Sequence, residues 1–530
     1  MIGNSIRKLR TDAKMTQAQF SEIFAVSQQA IQKWESGTAT PELEKIIMIS
    51  KYFGVSLDAL ILDNDNRVVE EMAGTDSIKP QYQNLHHWDF YAANLLTEYQ
   101  QSVDEGLDIE NYKDVFHSVS RLENGEIKKR LGDVLFDVVI NAKTVDGYAY
   151  LEPSELNQIK ALRKNSEESY TLNRQDLEEK IHGAWVGRIC GCLLGKCIEG
   201  IRTSEFTPFL KESNNYPLHR YIYKSDITSE VIEKYTFPFN SRNCYADEVD
   251  GMPTDDDTNY VVLAQKILDD YGADFTPYDV SKAWLNYQKK NAYCTAERVA
   301  FRNFVNGFIP PHSAIYQNPY REWIGAQIRG DYFGYINPAN PELAAEMAWR
   351  DASISHVKNG IYGEMFISAM LAVAATTSDI EAIILGGLAQ IPYTSRLYEA
   401  IMLVIKSYKD GMVEQDCFKM IHERYDENTS HGWCHTISNA MIVAASLLYG
   451  NGDFSKSICM AVEAAFDTDC NGATVGSVLG MANGIASIPE YWQVPLNDKL
   501  HTSIFGVGTV KITDCVKHTM EHVEKYANLG

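Results

Sequence analysis

Apolar positions recur at helical spacing almost from the first residue. Ile2, Ile6 and Leu9 share one face of a first helix. Met15-Thr16-Gln17-Ala18-Gln19-Phe20 opens a second, with Thr16 and Gln19 spaced as a capping box. Ser27 caps a third helix over Gln28–Glu35, which stops at Gly37. Thr40-Pro41 starts a fourth that runs through Phe53 to Gly54, and Ser56 caps a short fifth one through Leu60. With Ala18, Phe20, Ile23, Val26, Ile31 and Trp34 turned inward, residues 1–62 are expected to form a five-helix helix-turn-helix domain.

A polar break, Asp63-Asn64-Asp65-Asn66-Arg67, interrupts the pattern. It resumes at Trp88, Tyr91, Leu95, Leu96 and Tyr99, then at Val115, Phe116 and Val119, then from Leu131 to Val139. Residues 63–175 therefore read as a helical connector of unassigned role. His86-His87 reads as surface or packing, because adjacent helical residues face different ways.

From residue 176 the pattern changes character. Gly183, Gly187, Gly191 and Gly195 recur every four residues, and so do Gly472, Gly476, Gly480 and Gly484. Hydrogen in place of a side chain along one helix face lets two such helices cross almost backbone to backbone. Between them, 261–268, 342–348, 360–374 and 436–448 are Ala-rich and helical in period. The expected fold is all-α, with the last domain spanning 176–526.

Composition narrows the setting. A chain of 530 residues exceeds one ordinary core. Its apolar runs fall short of the ~20 residues of a membrane span. Ten cysteines without zinc spacing suit a reducing, cytoplasmic compartment rather than a disulfide framework. A net charge of −23 argues against a whole-surface nucleic-acid binder but leaves room for a small DNA-binding head.

Two acidic runs carry the candidate chemistry. One is Asp255-Asp256-Asp257 within Pro253–Asn259, and the other is Asp467-Thr468-Asp469-Cys470. Each stands at the mouth of a predicted helix, where carboxylates are favoured anyway. Together they supply the hard oxygen donors that Mg²⁺ or Mn²⁺ prefers. Several carboxylates in one pocket cannot all stay charged without cations. The stretch from Arg321 reads in two ways, as a pocket rim with Arg329 on a phosphate and Tyr332-Phe333-Gly334-Tyr335 on adenine, or, at least as readily, as a packed aromatic turn.

The head resembles the lambda-repressor/Xre family through Met15–Phe20, Val26–Glu35 and Gly54–Leu60. The resemblance implies that Gln17, Gln28, Gln29, Gln32 and Lys33 face double-stranded DNA, where Gln pairs with adenine. Arg7, Lys8, Arg10 and Lys14 are expected on phosphates, and a homodimer on a two-fold site is expected.

The last domain resembles the ADP-ribosylglycohydrolase family, nearest its bacterial, dinitrogenase-reductase-activating branch. The residues that carry the likeness are Gly191–Glu199, Pro253–Asn259, Ile324–Arg329, Ser355-His356 and Phe466–Gly480. The resemblance implies an all-α bundle with two Mg²⁺ or Mn²⁺ ions, cleaving ADP-ribose from a protein, nucleic acid or small molecule. It puts the metal positions on Asp255, Asp256, Asp257, Asp467, Asp469 and Cys470. Asp256, Asp257 and Glu199 become the catalytic candidates, and His356 falls by the ADP-ribose pocket. Two positions depart from the family: Asp255 stands where a hydroxyl is usual, and Cys470 where Thr or Ser is usual. A thiol is a poor ligand for Mg²⁺. The alternative reading is a regulator whose bundle senses ADP-ribose or a related nucleotide without turnover, and a third is hydrolysis of another ribosyl glycoside.

Overall fold

A computed structural model describes residues 2–55, 60, 80–164 and 169–527. The chain divides into two compact units between Gln81 and Tyr82. Helices dominate both. Among the described residues the only paired strands are Lys499–His501 and Thr509–Lys511, a short antiparallel pair. No helix of the described residues is long and apolar enough to cross a membrane.

In the first unit the helices run Ile2–Asp12, Gln17–Ile23, Gln28–Glu35 and Leu43–Phe53. Thr16 Oγ1 accepts from Gln19 N at 3.2 Å, and Gln19 Oε1 accepts from Thr16 N at 2.9 Å, closing the expected capping box. Ser27 Oγ accepts from Ala30 N at 3.1 Å. The fourth helix starts at Leu43 rather than beside Pro41, and ends at Gly54, whose φ of 63° is left-handed. The fifth helix expected from Ser56 lies outside the described residues, apart from buried Leu60. Ala18 and Ile23, expected inside, are exposed. Phe20 and Phe24, one turn apart with rings 4.6 Å from each other, take the core stripe and rotate positions 18 and 23 outward.

The second unit begins with the connector. Its helices Leu95–Asp104, Lys113–Ser120 and Glu126–Asn141 bury Leu95, Phe116 and Leu135 together. Buried charges join it to the rest. Arg321 donates to Glu105 at 2.6 Å and to Glu98 at 2.8 Å, and Lys358 reaches Glu105 at 2.6 Å. Arg396 donates to both Glu152 and Glu322 at 2.8 Å.

The two glycine-striped helices, Leu177–Lys196 and Thr468–Asn483, cross at the centre. A Cβ on Gly183 would stand 2.4 Å from Gly480 O, one on Gly187 2.1 Å from Gly476 O, and one on Gly191 1.9 Å from Gly472 O. Real Cβ atoms do not approach so closely, so any side chain there forces the helices apart. The pairing is antiparallel. It therefore sets the end of one helix, at Lys196, beside the start of the other, at Thr468, whose Oγ1 donates to Gly195 O at 2.9 Å. The stripe places both acidic motifs' neighbours at one spot.

Candidate metal centre and cleft

A cleft of about 460 Å³ opens at that spot. Lys196, Glu199, Asp255, Asp256, Asp467, Asp469 and Cys470 line it, so the two acidic runs share one cavity. Asp255 caps the Asp256–Tyr271 helix, accepting from Asp257 N at 2.9 Å. Asp467 stands at the N-cap of the Thr468–Asn483 helix. Two helix starts and one helix end thus converge, and unsatisfied N–H groups there favour negative charge.

Ligand atoms of Asp257, Asp469 and Cys470 lie within 4.8 Å of one another, as do those of Glu199, Asp467 and Asp469. Asp469 belongs to both groups. Asp257 Oδ2 and Asp469 Oδ1 are buried and have no hydrogen-bond partner among the described residues. Such orphaned oxygens are costly in a protein interior. Asp257 Oδ1 meets Arg188 at 3.0 Å, and Arg188 also pairs with Asp331 at 2.9 Å. Asp256 is half-exposed on the cleft side and stands outside both groups.

Electrostatics follow from this crowding. Burial, then the charges of Asp255 and Glu199, push the Asp256 carboxyl up to about 8. Burial, then Asp467 and Asp255, raise Glu199 to about 7. Burial and the neighbouring carboxylates also drive Asp469 well above the carboxylate range. Asp255 is the exception. Burial opposes its charge, but Lys196 Nζ at 2.5 Å, Cys192 Sγ at 3.2 Å and the Asp257 N–H hold it low. Both its oxygens are therefore engaged, which suits a supporting group better than a free ligand. Burial and the adjacent aspartates push the Cys470 thiol well up, so it stays a neutral S–H.

Several sequence-based expectations are corrected here. Arg329 does not line the cleft. It is buried, bonded to Asp351, to Glu297 at 3.0 Å and to Ser355 Oγ at 2.8 Å, leaving no donor for a phosphate. His356 is likewise buried away from the cleft lining, with Nδ1 at 2.8 Å from Ser355 Oγ. Burial and Arg329 hold its ring neutral. Of the two readings of Tyr332, Phe333 and Tyr335, the packed aromatic turn holds, because all three are fully buried in the core.

In exchange the cleft is lined by Trp88, Lys289, Cys294, Glu297 and Trp433, none of which the sequence marks as a site residue. Glu297 sits against Gly325, where a Cβ would meet its Oε1 at 1.8 Å. Burial raises it to about 7 despite Arg329.

In the head, Gln28, Gln29, Gln32 and Lys33 are exposed on the third helix. Gln17 is half-buried and donates to Glu35 at 2.8 Å, and Arg10 pairs with the same carboxylate at 2.5 Å. Both side chains are committed within the head instead of standing free for DNA.

Comparison with known proteins adds the following. Residues 173–519 match the ADP-ribosylglycohydrolase family, and residues 6–60 match a helix-turn-helix family. The head region is similar to the HTH-type transcriptional activator BcrR of Enterococcus faecalis, 35% identical over 81 residues, 15% of this chain and 40% of that one. It is also similar to the cryptic phage CTXphi transcriptional repressor RstR of Vibrio cholerae, 26% identical over 72 residues, 14% of this chain and 65% of that one. The chain thus spans under two thirds of the length of either regulator. An uncharacterized protein of Archaeoglobus fulgidus is 22% identical over 329 residues, 61% of this chain and 93% of its own. A solved ADP-ribosylglycohydrolase-related protein complex aligns at 17% identity and a TM-score of 0.42, covering 66% of this chain and 99% of its own.

Proposed function

Because the chain belongs to the ADP-ribosylglycohydrolase family, we propose that its second unit is a divalent-metal-dependent hydrolase that cleaves ADP-ribose from an acceptor, and that the head docks it on double-stranded DNA. One observation carries the reading: Asp257 and Asp469, from opposite ends of the domain, share one ligand group and each keeps a buried oxygen without a partner among the described residues. That donor set fits hard divalent cations. Asp257, Asp467, Asp469 and Glu199 would hold two Mg²⁺ or Mn²⁺ ions, with Asp469 common to both groups. Bound there, the cations supply positive charge for the ribose hydroxyls and acidify a water.

The chain's own residues do the rest. Asp256, facing the cleft and ionised once the cations offset its neighbouring carboxylates, orients the attacking water and offsets the positive charge that grows on the ribose ring. Glu199, as a carboxylate, closes the second ligand group beside Asp256 on the cleft wall. Lys196 and Asp255 lock the helix start that presents Asp256 and Asp257. On the head, Gln28, Gln29, Gln32 and Lys33 meet base edges and phosphates.

The test is ADP-ribose release from Arg-, Ser- and nucleic-acid-linked substrates in Mg²⁺. Asp469→Asn is expected to slow release at least about 100-fold, from lost electrostatic stabilisation of the reacting centre. Release by that variant at the wild-type rate sinks the reading. Cys470 in a hydroxyl's place favours a second reading, a sensor, whose sign is tight ADP-ribose binding without release from any of the three substrates. For the head, Gln28→Ala combined with Gln32→Ala is expected to erase a DNA footprint.

A further inference from the structure

The connector builds one wall of the cleft. Trp88 lies outside residues 173–519 that match the family, yet it lines the same cavity as the acidic motifs. Its position is fixed by its neighbour. Asp89 accepts from Arg298 at 3.0 and 2.7 Å and pairs with Lys290 at 2.8 Å, and Arg302 donates to its backbone oxygen at 3.2 Å. The Asp89 and Arg298 side chains are 9% and 8% exposed, so this pair works in low dielectric and is costly to break. The Arg298 guanidinium also sits 5.8 Å from the Trp88 ring centre. His86 and His87 extend the aromatic surface, stacked on each other at 4.4 Å with His86 4.6 Å from Trp88. Among the described residues the Trp88 indole N–H has no acceptor.

The cleft is electrically lopsided. Its lining cations are Lys196 and Lys289. Lys196 is committed to Asp255. Lys289 is exposed and has no carboxylate partner among the described residues. It belongs to the same loop as Lys290, which holds Asp89, so it and Trp88 lie on one side of the cavity. Of the two tryptophans lining the cavity, Trp433 stands beside the acidic run with its indole N–H donating to Phe466 O, so a ligand with a ribose, a diphosphate and a flat base enters most favourably with its base toward Trp88. Its diphosphate avoids the aspartates and meets the uncommitted ammonium, and its base reaches the aromatic wall.

Resting on the ADP-ribose reading above, we propose that Trp88 is the base-stacking wall of an ADP subsite and that Lys289 pairs with the diphosphate. The connector is then part of the substrate-binding machinery.

The experiment is calorimetric titration of the full chain in Mg²⁺ with two probes, ADP-ribose and ribose 5-phosphate, which lacks the base. Trp88→Ala is expected to weaken ADP-ribose roughly 5- to 150-fold, the range for loss of one base stack. Its affinity for ribose 5-phosphate stays within about twofold of wild type, since that probe makes no stack. Trp88→Phe is expected to retain most of the affinity and to lose the part of the ADP-ribose-induced quenching of tryptophan fluorescence that the stack on Trp88 is expected to produce in the wild type. Lys289→Ala weakens ADP-ribose severalfold at low salt and hardly at high salt. Three results overturn the proposal. If Trp88→Ala binds ADP-ribose like wild type, while wild type still prefers it to ribose 5-phosphate, the base lies elsewhere and the parent reading survives. If Trp88→Ala loses both probes alike, the residue is structural. If wild type binds neither probe, the parent reading falls and takes this one with it.

Discussion

Two buried acidic clusters in the second unit make a controlled contrast. Where the connector meets the bundle, Glu98, Glu105, Glu152 and Glu322 are answered by Arg321, Arg396 and Lys358. Asn359 and Gln101 fill further lone pairs on Glu322, at 2.8 and 2.6 Å. Burial opposes the charge on Glu322, but Arg396 and His435 hold it well below the usual range. In the cleft, Asp256, Asp467 and Asp469 have no Lys or Arg partner among the described residues, and their carboxyls are pushed up instead. The same chain answers one cluster with its own cations, although Glu98 Oε2 has no hydrogen-bond partner among the described residues, and leaves Asp256, Asp467 and Asp469 of the other without a cation. Unsatisfied buried charge is destabilising, so its persistence marks the place where something from solvent completes the site.

The largest expected effect tests that contrast directly. Arg396→Met strands two carboxylates and should cost about 3–5 kcal/mol of stability, read as a lower unfolding midpoint. Asp469→Asn, measured without metal, removes repulsion and should leave the midpoint unchanged or higher, while nearly abolishing ADP-ribose release. If the two variants lose stability alike, the clusters are not different in kind.

Much of this was legible because it is local. The spacing of Gly183 to Gly195 and of Gly472 to Gly484 announces a bare helix face, and only the identity of its partner had to be found. Thr16 with Gln19 caps as spaced. That crossing brings Asp467 and Asp469 beside Lys196, and the pairing of Lys196 with Asp255 and of Arg188 with Asp257 then brings in the first acidic run from a third helix. What stayed hidden depends on distant partners. Arg329 looks like a free cation until Asp351, Glu297 and Ser355 are brought around it. Glu297 looks like a surface residue of the Thr295–Val305 helix until Gly325 closes over it. Trp88 belongs to a segment whose helical period says nothing about a cleft built mostly from residues far along the chain.

A smaller effect sharpens the same contrast through pH. Asp256 and Glu199 stand at about 8 and about 7, above their ordinary 3.8 and 4.5. A carboxyl raised by folding binds its proton more tightly in the native state. The metal-free fold therefore loses stability as pH climbs from the ordinary range to the raised values, and levels off above them. Divalent cations need the deprotonated groups. The rise in unfolding midpoint produced by Mg²⁺ should be small near about pH 6 and several degrees larger near about pH 8.5. Thermal scans at both pH values check it, and an Mg²⁺ effect independent of pH would remove Glu199 from the metal site and leave Asp256 outside its electrostatic reach.

The smallest effect lies in the head, where the sign reverses. Glu35 is a buried carboxylate whose charge burial opposes, but hydrogen bonds from Arg10 and Gln17, with the charges of Arg10 and Arg7, hold it below 4.5. A carboxyl lowered by folding contributes stability above its unfolded value, and that contribution disappears as pH falls through the folded value. Arg10 keeps some exposure and solvent screens the pair, so Glu35→Gln should cost on the order of 1 kcal/mol. Hydrogen exchange of head amides in the full chain would show it at neutral pH and show it fading as pH falls below the ordinary carboxylate value of 4.5. The variant also weakens the hold on the Gln17 amide, whose acceptor loses its charge. If Gln17 serves the head only through Glu35, the DNA footprint of the variant will match wild type once folding is allowed for. A footprint that tightens would return Gln17 to the DNA face, and leave Gln28 and Gln32 as part of the reading surface instead of its whole.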